Sequence, residues 1–303
     1  MKEKIESIIT DMLGAGYICD QKVATILYLA EVMQKPVLIE GPAGVGKTAV
    51  AQAFSQARGL RMIRLQCYEG IDEARALYEW NYKKQLLHIQ AGAKVKDDAD
   101  VKELEKEIFS EEYLLARPLL QSIASPQRNV LLIDEIDKVD FEFEAMLLEL
   151  LSEFQVTLPE MGTYKAKDIP FVFLTSNATR ELSEALKRRC LYLYLPFPSP
   201  ELEKSILELK VPGLEEGLRE KVVRLVQELR KLDLKKPPSV AESIDWATSL
   251  FWLAREDLDK DTFEQTANVL LKYQEDVEKA GSGLVITERG IMFKNSGPGH
   301  GWR

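Results

Sequence analysis

Apolar positions in the first two thirds of the chain fall into short runs: PVLIE from Pro36, RMIRLQC at 61–67, NVLLID at 129–134, FVFLTSN at 171–177 and LYLYLP at 191–196. Runs this short, bounded by Gly, Pro, Asn or Asp, read as strands. Stretches with helical spacing separate them, and that alternation predicts a mostly parallel sheet covered on both faces. In FEFEAMLLELLSEF at 141–154, the residues Phe143, Leu147, Leu150, Leu151 and Phe154 form the stripe of a core-facing helix, with Asp140 placed to cap it. QVTLPEMGTYKA at 155–166 predicts a β-hairpin whose Met-Gly tip is too short and polar to be core. The opening MKEKIESIITDMLGAG reads as a short amphipathic helix, resembling neither a secretory signal nor an Arg-rich transit peptide.

After PFPSP at 196–200 the strand-like runs stop, and three prolines in five residues mark a domain boundary. Segments 201–209, 214–231, 239–254 and 261–279 predict a small helical bundle. GSG at 281–283 then opens a tail in which LVIT and IMF would form a hairpin before a disordered end. The almost wholly charged stretch 94–107 reads as a solvated helix or mobile insertion. No apolar run approaches the roughly 20 residues that cross a bilayer, which makes a soluble, cytoplasmic protein without membrane insertion the expectation.

The chain has 303 residues, 46% apolar and 29% charged, enough for a large core and against wholesale disorder. Forty Lys+Arg against 49 Asp+Glu leave a net charge of −9, which disfavours a histone-like or coat-like role and tight nonspecific nucleic-acid binding. Cys19, Cys67 and Cys190 lie far apart and the only histidines are His88 and His300, so neither a zinc spacing nor a disulfide framework can be drawn. A reduced, intracellular setting follows as the expectation.

The strongest chemical signal is GPAGVGKT, which satisfies G-x-x-x-x-G-K-[ST] between a predicted strand and the helix TAVAQAFSQA. Gly41, Gly44 and Gly46 allow the loop, with Pro42, Ala43 and Val45, to turn its amides inward. The N-terminus of the following helix, where Ala49 lies, adds partial positive charge facing phosphates. Lys47 then reaches the β- and γ-phosphates and the Thr48 hydroxyl ligates Mg²⁺. NVLLIDEID delivers Asp134 and Glu135 at the carboxyl end of a strand, where ligands bind in parallel sheets. Asp134 would hold Mg²⁺ through water and Glu135 would polarise an attacking water.

These motifs resemble the AAA+ ATPases, and within them the MoxR-type branch. GPAGVGKT looks like Walker A and LLIDEID like Walker B, and LLELLSEFQVTLPEMGTYKAKDIPFVFLTSNATRELSEALKRRC at 147–190 is similar to the branch's helix, hairpin insertion, sensor strand and arginine-bearing turn. PPSVAESIDWA at 237–247 looks closest to members associated with carbon monoxide dehydrogenase maturation. The resemblance implies a five-stranded αβα core over 1–198, a helical lid over 199–280 and a tail over 281–303, assembled as a ring, usually a hexamer, with ATP between subunits. It makes Asn177 the sensor 1 residue and Arg189 the arginine finger, with Arg188 as the adjacent alternative. One departure stands out: where many relatives carry a sensor 2 arginine this chain has Val240, so that either Lys235 or Lys236 substitutes for it or turnover is coupled differently.

The absence of an LSGGQ-like signature and of N-K-x-D favours an AAA+ ATPase over a transporter ATPase and ATP over GTP, and the intact Glu135 disfavours a binding-only module. The function expected is a chaperone-like ATPase that remodels, or loads metal into, a protein client such as a metalloenzyme, with a von Willebrand A domain protein as a further partner implied by the resemblance. The alternatives are an AAA+ motor acting on nucleic acid and a gas-vesicle assembly ATPase. The hairpin at 155–166 is expected to project from the ring and touch the client.

Overall fold

The computed structural model describes residues 2–91, 104, 106–287 and 290–293. They divide into two compact units, one of Met1–Ala15, Cys19–Gly41 and Lys47–Tyr194, the other of Gly16–Ile18, Pro42–Gly46 and Leu195–Arg303.

In the first unit the strands, in chain order, are β1 (Val37–Glu40), β2 (Met62–Gln66), β3 (Tyr78–Trp80), β4 (Leu114–Ala116), β5 (Val130–Asp134), β6 (Gln155–Leu158), β7 (Gly162–Lys165), β8 (Phe171–Ser176) and β9 (Leu191–Tyr194). Five of them form a parallel sheet in the order β2-β5-β8-β1-β9, as the alternating pattern predicts. β5 and β8 are buried at every position because both faces of the sheet are covered, which is why they read as continuous apolar runs. The register sets Gln66 beside Asp134 and Glu40 beside Ser176, so the carboxyl ends of β2 and β5, and of β1 and β8, lie level.

The helix Phe141–Glu153 covers the sheet with the predicted stripe. Phe143, Leu147, Leu150 and Leu151 are buried, and Asp140 accepts from Phe143 N at 2.8 Å. Immediately after it, β6 pairs antiparallel with β7. The period-2 alternation of QVTL turns Val156 and Leu158 into the core of the unit, where Leu158 is fully buried. The hairpin is therefore anchored by its first strand, and only its outer face, Thr157, Thr163 and Lys165, and its turn are open. Between β2 and β5 an excursion pairs β3 with β4. Three-residue strands carry too little periodicity to register in the sequence pattern.

In the second unit the helices are Pro200–Lys210, Glu216–Leu229, Val240–Trp252, Lys260–Leu270 and Gln274–Gly283. Leu207, Val222, Leu225, Trp246 and Phe263 form their core, and Trp246 Nε1 donates to Thr266 Oγ1 at 2.8 Å. The stretch 261–279, expected as one helix, is two. Leu271 is extended, and the buried Asp276 carboxylate accepts from the amides of Lys235 and Lys236, a tertiary demand that periodicity does not encode. The second of these helices also runs through GSG to Gly283, so the tail begins later than expected, with β10 (Leu284–Thr287) paired antiparallel to β11 (Gly290–Phe293). Residues 294–303, and all of 94–107 except 104, 106 and 107, lie outside the described residues. Among those described, no helix is long and apolar enough to cross a membrane.

Candidate nucleotide site

β1 ends at Glu40, and the chain then turns through Gly41–Gly46 into the helix Lys47–Ala57, whose first turn holds Lys47, Thr48 and Ala49. Gly44 has φ +73, and a Cβ there would collide with Ser239 Oγ, so this position needs glycine for both its conformation and its close approach. Within the second unit, to which Pro42–Gly46 belong by their contacts, Ala241 N also donates to Gly44 O at 3.2 Å.

Lys47 is 7% exposed, and its ammonium donates to Gly41 O at 2.8 Å and to Asn177 Oδ1 at 2.7 Å. The loop lysine and the asparagine at the end of β8 thus meet although 130 positions separate them. Burial pushes the Lys47 ammonium below its usual pKa, against the opposing pull of Asp137, Asp134 and Glu135. A buried cation among three carboxylates and polar oxygens is an arrangement suited to receiving polyphosphate.

The Thr48 hydroxyl lies 3.2 and 3.3 Å from the two oxygens of Asp134. Asp134 is 3% exposed and also accepts from Thr175 Oγ1 and, at 2.5 Å, from the half-exposed Arg64. Glu135 follows in the left-handed region, φ 57, with its amide donating to Thr175 Oγ1 at 3.0 Å. Such a conformation costs a non-glycine residue roughly 1–2 kcal/mol and sends successive carboxylates in different directions. Ala178, directly after Asn177, is left-handed as well, φ 56.

Three residues that the sequence reading did not assign complete this cluster. Asp137 is buried and accepts from Asn177 N at 3.2 Å, Thr179 N at 3.1 Å and Thr179 Oγ1 at 2.6 Å, so it fixes the loop that carries Asn177. Burial raises its pKa, but the Thr179 and Asn177 hydrogen bonds outweigh that and hold the carboxyl below its usual range. Thr175 links Asp134 to the Glu135 amide, and Arg64 reaches Asp134 from β2. The signal for Asp137 was its place in the same DEID run. For Arg64 there was none, because strand neighbours are not visible in sequence.

Asp137→Asn is expected to destabilise the protein by about 1–3 kcal/mol, since an amide turns one acceptor into a donor facing other donors. Because the folded carboxyl titrates below its unfolded value, its stabilisation is present above the ordinary carboxylate range and is lost as pH falls through the folded value. Thermal melts of both proteins from pH 7 to pH 3 check this: the gap should narrow in acid, and an equal gap throughout would contradict it.

Elsewhere in the first unit, Arg189 ends the helix Glu184–Arg189, with its guanidinium on Ser152 Oγ and on Ala185 O at 2.9 Å. Arg188 is exposed and has no side-chain hydrogen bond or ion pair among the described residues. In the second unit Val240 opens its helix, buried at 6% exposure. Lys236 pairs with Glu242 at 2.8 Å, while the Lys235 ammonium sits 4.6 Å from the Tyr273 ring centre. The three cysteines are free, and burial pushes each thiol up to about 12.

The oxygens of Thr48 and Asp134 fit a hard divalent cation such as Mg²⁺. Among the described residues no three His, Cys, Asp or Glu side chains converge as a cage, so a cation here would complete its shell with water and phosphate oxygens. The family model described as AAA domain (dynein-related subfamily) matches residues 36–190, just over half of the chain and the span that carries the cluster from Gly41 to Thr179 and, apart from it, Arg189. No curated protein matches it.

Proposed function

Since this chain belongs to the AAA domain (dynein-related) family and is an AAA+ ATPase, we propose that it is a chaperone-like ATPase of the MoxR type, remodelling a protein partner or assisting maturation of its metal centre. The observation that carries the catalytic part is the buried Lys47 ammonium held between Gly41 O and Asn177 Oδ1, beside Thr48 and Asp134. On ATP binding, Lys47 exchanges these oxygens for β- and γ-phosphate oxygens, and Asn177, released from Lys47, orients the attacking water. Thr48 and Asp134 would hold Mg²⁺, which supplies neutralisation of the phosphate charge. Thr175 keeps the Asp134 carboxylate turned toward Thr48, and Glu135 takes the proton of the water. Arg189 enters a neighbouring copy's site in a ring, taken here as a hexamer.

The acidic balance of the chain favours a protein client over nucleic acid. Resemblance in 237–247 supports a client among metalloenzymes, with a von Willebrand A domain protein as a further partner. The reading is tested with E135Q as bait, loaded with ATP or ADP, followed by mass spectrometry of retained proteins and by turnover assays of wild type with the purified candidate or with single- and double-stranded DNA. A metalloprotein held only with ATP, and stimulating turnover, is the expected result. Salt-sensitive stimulation by DNA instead would turn the reading to a nucleic-acid motor, and capture of gas-vesicle proteins would turn it to vesicle assembly.

A further inference from the structure

We propose that a cleft at the root of the β6–β7 hairpin is a receptor for a lysine or arginine side chain presented by a protein partner. The cleft, about 240 Å³, lies within the first unit between the helix Glu73–Ala76, the helix Phe141–Glu153 and β6. Leu77, Leu119, Leu150 and Val156 line it, each buried in the core at 5% exposure or less, so its floor is apolar and rigid. Glu73 and Glu149 stand at its rim, both exposed.

Neither carboxylate has an ion-pair partner among the described residues. Among the described residues Glu149 accepts only from Gln155 Nε2 and Thr157 Oγ1, each at 3.1 Å, and both neutral donors leave its charge intact. Beside the cleft, the Tyr78 hydroxyl is pushed up by burial first and then by the negative charges of Glu160 and Glu73. Among the described residues no lysine or arginine lines the cleft.

An apolar floor under an uncompensated acidic rim matches one kind of side chain in both halves. The methylenes of lysine or arginine cover the floor while the cationic head stays between the carboxylates. A purely aliphatic side chain would leave the rim charges unanswered, and an anionic one would be repelled. The inference rests on the proposed protein client only for the origin of that side chain. It also alters how the hairpin would serve: the anchored strand β6 forms a wall of the receptor, in place of a tip probing solvent.

The test uses the full chain, without nucleotide, with ¹³C-methyl-labelled methionine, because Met146 lines the cleft. Acetylated tetralysine amide is titrated against its Nε-acetylated form and against the tetranorleucine peptide, and phosphate release by the same sample is measured separately. Failure of the ATPase reading is thereby distinguished from failure of the receptor. Saturable movement of the Met146 methyl with tetralysine alone is expected, weakened about tenfold in E73Q/E149Q, since both exposed ion pairs to the cationic head are lost. Retained dispersion of the spectrum shows the variant folded, and single E73Q and E149Q proteins should fall between. Equal binding of norleucine or acetyl-lysine peptide would overturn the cationic assignment. Tetralysine binding unchanged in the double variant, or absent from wild type, would overturn the receptor.

Discussion

E135Q should bind ATP with wild-type affinity and hydrolyse it about 10²- to 10⁴-fold more slowly, the range lost when a general base is removed. The reason lies in how three neighbouring carboxylates are used. Asp134 is engaged by Thr48, Thr175 and Arg64, and Asp137 by Asn177 and Thr179. Glu135 alone of the three is partly exposed, and its carboxylate accepts no hydrogen bond among the described residues, leaving it open to take a proton from water. Glutamine keeps the shape but not the basicity. Equilibrium binding of a fluorescent ATP analogue, paired with steady-state phosphate release, separates the two effects. A turnover equal to wild type would remove Glu135 from the role of base, and loss of binding as well would make it a structural residue.

R189A should lower turnover by about 10³ or more with little change in ATP affinity, because an arginine finger stabilises charge that develops only in the transition state. In the single chain its guanidinium rests on Ser152 Oγ and Ala185 O, ligands a neighbouring copy's phosphate could replace. Arg188, exposed and uncommitted, is the natural control. Mixing decides between action in trans and in cis. An R189A subunit keeps a sound phosphate loop, and a K47A neighbour lends it Arg189, so mixed assemblies of two nearly inactive proteins should regain part of the activity. No recovery in assemblies verified to be mixed would confine Arg189 to its own subunit or to bracing the helix. Recovery with R188A, and an R189A protein that turns over normally, would move the finger one residue back.

Several features are local and were legible in the chain itself. Strands β1, β2, β5, β8 and β9 are each a short apolar run, the helix after Asp140 is a stripe with its cap, and the phosphate loop is a spacing of glycines before Lys47 and Thr48. Asp134 and Glu135 stood out because they end an apolar strand. Sequence pattern determines these because periodicity, capping and turn chemistry act over a few residues. The convergence of Lys47 with Asn177, and of Arg64, Thr48 and Thr175 on Asp134, is set by the strand order β2-β5-β8-β1-β9, which brings together residues up to 130 positions apart. The burial of Leu158 in the hairpin, the break at Leu271 and the β3–β4 pair likewise answer to what each segment packs against. Tertiary structure alone decided them, because the free energy of burying a side chain or pairing a carboxylate depends on its neighbours in space, and spacing along the chain does not specify those neighbours.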